Sequence, residues 1–151
     1  MTSMTTNSQP LSLPCEPSWL LKVLENEQSN RQARNRLRDY RPYPKQADFH
    51  AAGASNDEVL FMAGNQLGKT WAGGFETAMH LTGRYPDGWV GRVFAKQIRS
   101  MAGSESSELT RKGVQRILLG APEIEEQWGT GAIPKDAIKS WSRKQGVPNT
   151  L

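Results

Sequence analysis

Residues 63–70 read Ala63, Gly64, Asn65, Gln66, Leu67, Gly68, Lys69 and Thr70, and their types and spacing suit the binding of a nucleotide's phosphates. Gly68 leaves room for backbone N–H groups to approach phosphate oxygens. Lys69 supplies an ammonium long enough to reach the β- and γ-phosphates, and Thr70 offers a hydroxyl to Mg²⁺. A helix starting at Lys69 would add its free amides and the positive end of its dipole. The same Gly-rich stretch would also serve as a plain turn between a strand and a helix. Ala63 stands where glycine is commoner, and alanine would cost around 1 kcal/mol or more if the backbone there needed a positive φ.

Other groups are less committed. Tyr43 and Gln46 lie upstream in Tyr43-Pro44-Lys45-Gln46. A tyrosine ring can stack on a base, and a glutamine amide can pair with the adenine edge. Taken alone, a Pro-rich turn with a surface glutamine explains them better. Arg31, Arg34, Arg36, Arg38 and Arg41 form a basic run. It can contact DNA phosphates, although a solvated helix face is the commoner use, and few aromatics interleave it. His50 and His80 are isolated in the sequence, fall in no metal-ligand spacing and read as structural. Trp71, Trp89, Trp128 and Trp141 read as packing or loop anchors.

The elements that must hold these residues can be read from periodicity and caps. Residues 1–17 are a Thr-, Ser- and Pro-rich lead-in expected to be flexible. Ser18 can cap a helix to about Asp39 that begins with Trp19, Leu20, Leu21, Val23 and Leu24. Arg41-Pro42-Tyr43-Pro44 breaks it, and a short helix follows from Lys45 to about Ala52. Val59 to Ala63 suits a strand buried on both faces. A helix from Lys69 to about Leu81 places Trp71, Phe75, Ala78 and Met79 on one face, with Gly73 and Gly74 allowing close approach to a strand.

Tyr85 to Gly88 is a turn, and Gly91–Phe94 and Ile98–Ala102 are expected strands. A helix from the cap-rich Ser104–Ser107 to Leu119 would turn Thr110, Val114, Ile117 and Leu118 inward, and Gly120-Ala121-Pro122 ends it. One further helical turn is expected around Asp136 to Ser142. This alternation predicts an α/β layer with a parallel sheet.

The totals are consistent with one modest domain: 151 residues, 36% hydrophobic and 23% charged. A net charge of +4 with a pI near 9.4 favours a polyanionic partner weakly. The single cysteine, Cys15, excludes an internal disulfide and a Cys-based zinc site. No signal peptide or membrane-spanning run is readable, so the expected location is cytoplasmic.

The run from Tyr40 to His50 and the run from Phe61 to Arg92 together resemble the N-terminal ATPase segment of tailed-phage terminase large subunits. Gln115–Gly120 and Gly129–Ile138 resemble it too, so the likeness covers roughly residues 35–140. Gly64 to Leu67 and Leu81 to Pro86 are the words most particular to that family.

The resemblance implies a P-loop NTPase (RecA-like) fold, with an incomplete parallel sheet, flanking helices and a preceding N-terminal helix. It makes residues 18–42 a basic helix and linker and residues 43–151 a partial ATPase domain. Ala63 to Thr70 would be the Walker A loop, with Lys69 and Thr70 also catalytic. Tyr43 and Gln46 would belong to the adenine-recognition element. ATP and Mg²⁺ are the implied cofactors. Double-stranded DNA, the terminase small subunit and the portal protein are the implied partners, with a homo-oligomer in the full-length motor, in the bacterial host cytoplasm.

Neither a Walker B strand ending in an acidic pair nor a carboxylate cluster for a two-metal nuclease is readable, which predicts a fragment with little activity alone. A prophage remnant, a small DNA-binding module using the Arg31–Arg41 helix, or part of a helicase-like ATPase are the competing readings.

Overall fold

The centre of the molecule is the helix α3, Lys69–Thr82, in a computed structural model that describes residues 18–140. Its sequence puts Phe75, Ala78 and Met79 at three- and four-residue spacing, and all three are buried. Burying side chains as large as Phe75 and Met79 contributes about 1.5–3 kcal/mol each. Gly83 in the left-handed region (φ 68°) ends the helix, its amide donating to the Met79 carbonyl at 2.8 Å.

α1, Ser18–Ala33, and α2, Pro44–Ser55, precede it. α1 ends six residues short of the expected Asp39. The chain turns there because Leu37 and Tyr40 leave the solvent for the core, while Arg34 pairs with Asp39 at 2.7 Å. α2 starts with Pro44 in its first turn, where a missing N–H costs nothing.

On the other side of α3 lies a second helical run with a defect. Ser106 caps α4, Ser107–Thr110, its hydroxyl accepting the Leu109 amide at 3.2 Å. A π-helical turn, Arg111–Gln115, follows, and α5, Arg116–Leu119, completes the run. The wider turn shifts the helical phase. Gln115, Leu118 and Leu119 become the buried positions, while Thr110, Val114 and Ile117 are half-buried. α5 packs closely on α3, since a Cβ on Gly74 would lie 2.7 Å from Cγ2 of Ile117. The close approach expected of the Gly73–Gly74 pair is therefore to a helix and belongs to Gly74.

Residues 129–133 fold back over the end of α5. The amides of Gly129 and Gly131 donate to the Leu119 carbonyl (2.8 and 3.1 Å), that of Ile133 to Leu118 (2.8 Å) and that of Ala132 to Ile117 (2.7 Å). They satisfy carbonyls that a helix end leaves without intrahelical partners. Gly131 must be glycine here, since a Cβ would stand 2.5 Å from the Leu118 carbonyl oxygen. Trp128, Ala132 and Ile133 then close one core with Leu37, Tyr40, Phe75, Ala78, Met79, Leu118 and Leu119.

The parallel sheet expected from the sequence is absent from the described residues, and with it the α/β P-loop architecture; the fold is helical. Val59–Ala63, Gly91–Phe94 and Ile98–Ala102 carry no regular structure, and the one β-bridge among the described residues joins Thr130 to Pro134. A strand exists only through hydrogen bonds to a neighbour, and these three segments do not pair. Leu60 and Met62 are 82% and 81% exposed, so the apolar run is not buried on two faces; Phe61 and Ala63 are half-buried, Phe61 stacked on Phe49 at 4.8 Å.

The expected helical turn near Asp136 is a 3₁₀ turn, Lys135–Ala137. The expected flexible lead-in, Cys15, Trp141 and Ser142 lie outside the described residues. Among the described residues no helix is long and apolar enough to cross a membrane.

Candidate phosphate-binding site

The loop expected to hold phosphate leads directly into α3. Lys69 is the helix's first residue and Thr70, exposed, its second. The N–H groups of this first turn have no intrahelical acceptors, and the helix dipole adds positive potential in front of them. Gly68 sits in the left-handed region (φ 74°, ψ 20°) and sets the entry angle. Gln66 is the non-glycine residue with positive φ (60°) among the described residues. Side chains at such angles cost about 1–2 kcal/mol, and strain of this kind gathers at binding loops. Ala63 has no positive φ, so the penalty anticipated at the first motif position does not arise.

Lys69 folds back over the loop it ends. Its Nζ donates to the carbonyls of Ala63 and Gly64, each at 2.6 Å. The carbonyls thus hold the ammonium within the curve of residues 63–69.

Tyr43 and Gln46 come to the same place from α2. Gln46 is 3% exposed; its Oε1 accepts the Tyr43 amide at 2.9 Å and its Nε2 donates to the Gly68 carbonyl at 3.1 Å. Tyr43 is 72% exposed beside it. With Gln66, Leu67, Gly68 and Trp71 they line a recess of about 540 Å³, within the range of small-ligand sites. The structure thus brings Tyr43, Gln46, Gln66, Leu67 and Gly68 together, with Lys69 closing the loop over Ala63 and Gly64. Asn65 and Thr70 lie in the same segment without lining the recess.

Trp71 packs on Phe75, as its place on the helix face predicts, with ring centroids 4.6 Å apart. It stands on the inward face of α3, yet it is 40% exposed and shared between this recess and a neighbouring one of about 320 Å³. Arg34, Arg36, Asp39 and Arg41 line the second recess. Arg36 stacks 5.4 Å from the Trp71 ring and donates to the Thr130 carbonyl at 2.9 Å. Burial, and then the neighbouring Arg34 charge, hold its pKa below the ordinary arginine value. Arg34 is paired with Asp39, and Arg41 donates to the carbonyls of Arg38 and Tyr40. Arg34 and Arg41 are therefore engaged within their own segment, and Arg36 outside it.

Behind the site, His50 and His80 meet across Glu76; the spacing of Glu76 and His80 on one helix signals their half of the contact, whereas His50 comes from α2, beyond the reach of sequence spacing. Tyr40 Oη lies 2.9 Å from His50 Nε2, and His50 Nδ1 lies 3.1 Å from Glu76 Oε2. His80 Nε2 lies 3.7 Å from Glu76 Oε1, and its Nδ1 lies 3.2 Å from Tyr85 Oη, which accepts the Phe94 amide. Burial alone would raise the Glu76 carboxyl. The His50 and His80 contacts outweigh it and hold the pKa below the ordinary value. Burial, and then the Glu76 charge, push Tyr40 up to about 12. Both histidines are structural, tying α2, α3 and the 85–94 segment together.

Comparison with known proteins bears on the same segment. A family model described as terminase large subunit, T4likevirus-type, N-terminal, matches residues 60–151. The chain is also 42% identical over 144 residues to the terminase large subunit of Salmonella phage P22, an alignment covering 87% of this chain and 29% of that protein. The chain thus spans less than a third of that relative's length. No solved structure matches it. Since the family model covers more than half of the 151 residues, residues 63–70 included, the chain belongs to the terminase large subunit family, in its N-terminal part.

Proposed function

We propose that this chain is the ATP-binding part of a terminase large subunit, and that in the longer protein it serves ATP-driven movement of DNA into a viral procapsid. The observation that carries the reading is the arrangement at residues 63–70: a loop curved around its own lysine and opening onto free helix amides. The loop supplies the donors a triphosphate needs. Lys69 would exchange two carbonyl partners for phosphate oxygens, a stronger charge-assisted contact. The α3 amides would bind the remaining phosphate oxygens, and Gly68 keeps side-chain bulk away from them.

Mg²⁺ bound there would neutralise phosphate charge, and the exposed Thr70 hydroxyl on the first turn of α3 would help hold it. Tyr43 offers an exposed ring against which a base can stack. Ala63 through Thr70 would thus be the Walker A element, with Tyr43 and Gln46 completing the nucleotide site. Double-stranded DNA, the terminase small subunit and the portal protein are the proposed partners of the longer protein, acting as a homo-oligomer.

Calorimetric titration of the purified chain with Mg-ATP tests this. Binding in the micromolar range, weakened at least about tenfold in Lys69→Ala, is the expected result. No binding by the wild-type chain, or equal binding by the variant, would overturn it.

A further inference from the structure

We infer that Trp71 is a platform on which the purine ring of the nucleotide stacks, with Arg36 as the residue that positions it; this rests on the nucleotide-binding reading above. Trp71 is the third residue of α3, directly after Lys69 and Thr70. Long side chains on a helix lean toward its N-terminus, so the indole covers the turn before its own backbone. That turn is the loop itself, and Trp71 shares the recess of about 540 Å³ with Gln66, Leu67 and Gly68. With the phosphates on the first amides of α3, the sugar and base fall into this recess.

A stacking platform has to be flat, open on one side and held on the other. Trp71 is 40% exposed, yet its ring packs on Phe75 at 4.6 Å and lies 5.4 Å from the Arg36 guanidinium. Arg36 is itself fixed by its bond to the Thr130 carbonyl at 2.9 Å. The cation is drawn to the electron-rich indole face and holds the ring in place, so little freedom is left to lose when a base arrives. Tyr43 lines the same recess but is 72% exposed; of these two aromatics Trp71 is the one already held. Every base has a π face, so stacking selects by ring area and favours purines over pyrimidines. The choice between adenine and guanine is left to Gln46, whose amide keeps a second N–H and a second carbonyl lone pair beyond its two bonds.

Three substitutions separate stacking from packing. Trp71→Phe keeps an aromatic face. Trp71→Leu keeps apolar bulk against Phe75 without one. Arg36→Met removes the guanidinium and keeps a long apolar stem. The purified chain and the three variants would be titrated calorimetrically with Mg-ATP, Mg-GTP, Mg-CTP and inorganic tripolyphosphate, which has phosphates and no base.

Trp71→Leu is expected to weaken ATP and GTP about tenfold and CTP less, with tripolyphosphate and the ATP-to-GTP ratio unchanged within about twofold. Trp71→Phe should recover most of the nucleotide affinity, and Arg36→Met should repeat the leucine pattern in milder form. Equal losses for tripolyphosphate and nucleotides in Trp71→Leu would overturn the inference by making Trp71 a support of the loop. Unchanged affinities in that variant, or Trp71→Phe no better than Trp71→Leu, would overturn it too. A loss in Arg36→Met that tripolyphosphate shares would assign Arg36 to the phosphates and end its positioning role. Absence of binding to all four ligands by the wild-type chain would instead remove the nucleotide-site reading, and the platform with it.

Discussion

Replacing Glu76 by Gln probes the buried chain that ties α2 to α3. Glu76 is an acceptor for two histidines, one of them wholly buried: the side-chain exposures are 13% for Glu76, 0% for His50 and 15% for His80. An ionised carboxylate can take His50 Nδ1–H on one oxygen and face His80 Nε2–H with the other. Tyr40 then donates to His50 and Tyr85 to His80, so every group in the chain has a partner. Glutamine keeps the shape but presents its amino group to one histidine N–H, donor against donor, and loses the charge on both sides. One charge-assisted bond weakened and one donor stranded amount to about 2 kcal/mol. In a chain of this size that corresponds to a fall in Tm of about 4–8 °C.

The pH dependence gives the sharper readout. The folded pKa of Glu76 lies below its ordinary 4.5, so the unfolded chain binds the proton more readily. Its contribution is therefore present above about pH 4.5 and is lost as pH falls through the folded value. Urea denaturation of wild type and Glu76→Gln from pH 3 to pH 7 should show a gap that is full near neutrality and closes toward pH 3. A gap independent of pH, or no gap, would refute an ionised Glu76 at the centre of this network.

Other substitutions test the packing. Gly131→Ala forces a Cβ to 2.5 Å from the Leu118 carbonyl oxygen, a backbone atom that cannot yield; a loss of about 3 kcal/mol in urea denaturation is expected. The neighbouring glycines of α3 should respond with opposite signs. Gly73 has open space around its missing Cβ, so Gly73→Ala should stabilise the chain by up to about 1 kcal/mol. Gly74→Ala meets Ile117 at 2.7 Å and should destabilise it, both read by urea denaturation. Tyr40→Phe strips the 2.9 Å partner from the buried His50 and should cost about 2 kcal/mol. Because Tyr40 is raised from 10.0 to about 12, the wild type should also lose stability as pH rises through that window, a loss Tyr40→Phe should lack.

The helices were legible because their signals are local. Apolar spacing gave α3 within one residue, and the Pro-rich break gave the start of α2. The sheet was not. A continuous apolar run such as Val59–Ala63 looks the same whether or not another segment pairs with it, and pairing is a long-range fact that one chain's periodicity does not carry. The π turn at Arg111–Gln115 was invisible for a related reason: one extra residue per turn changes the phase without changing composition.

At the site, types and spacing marked residues 63–70, but not the strained Gln66, nor how Lys69 is held. Gln46 was legible as a polar group near the loop. That its amide joins the Tyr43 N–H to the Gly68 carbonyl required the hydrogen bonds. Trp71 was legible as a packing residue, but a stripe on a helix says which residues face inward, not where the inward face ends and a recess begins.

The most direct test of the central claim is a backbone amide map of the chain with and without Mg-ATP by heteronuclear NMR. Large shifts confined to Tyr43, Gln46 and Gly64 through Trp71, with Gly68 and Lys69 foremost and lost in Lys69→Ala, are the predicted result. Shifts centred on the arginine-lined recess of Arg34, Arg36 and Arg41, or none anywhere, would contradict it.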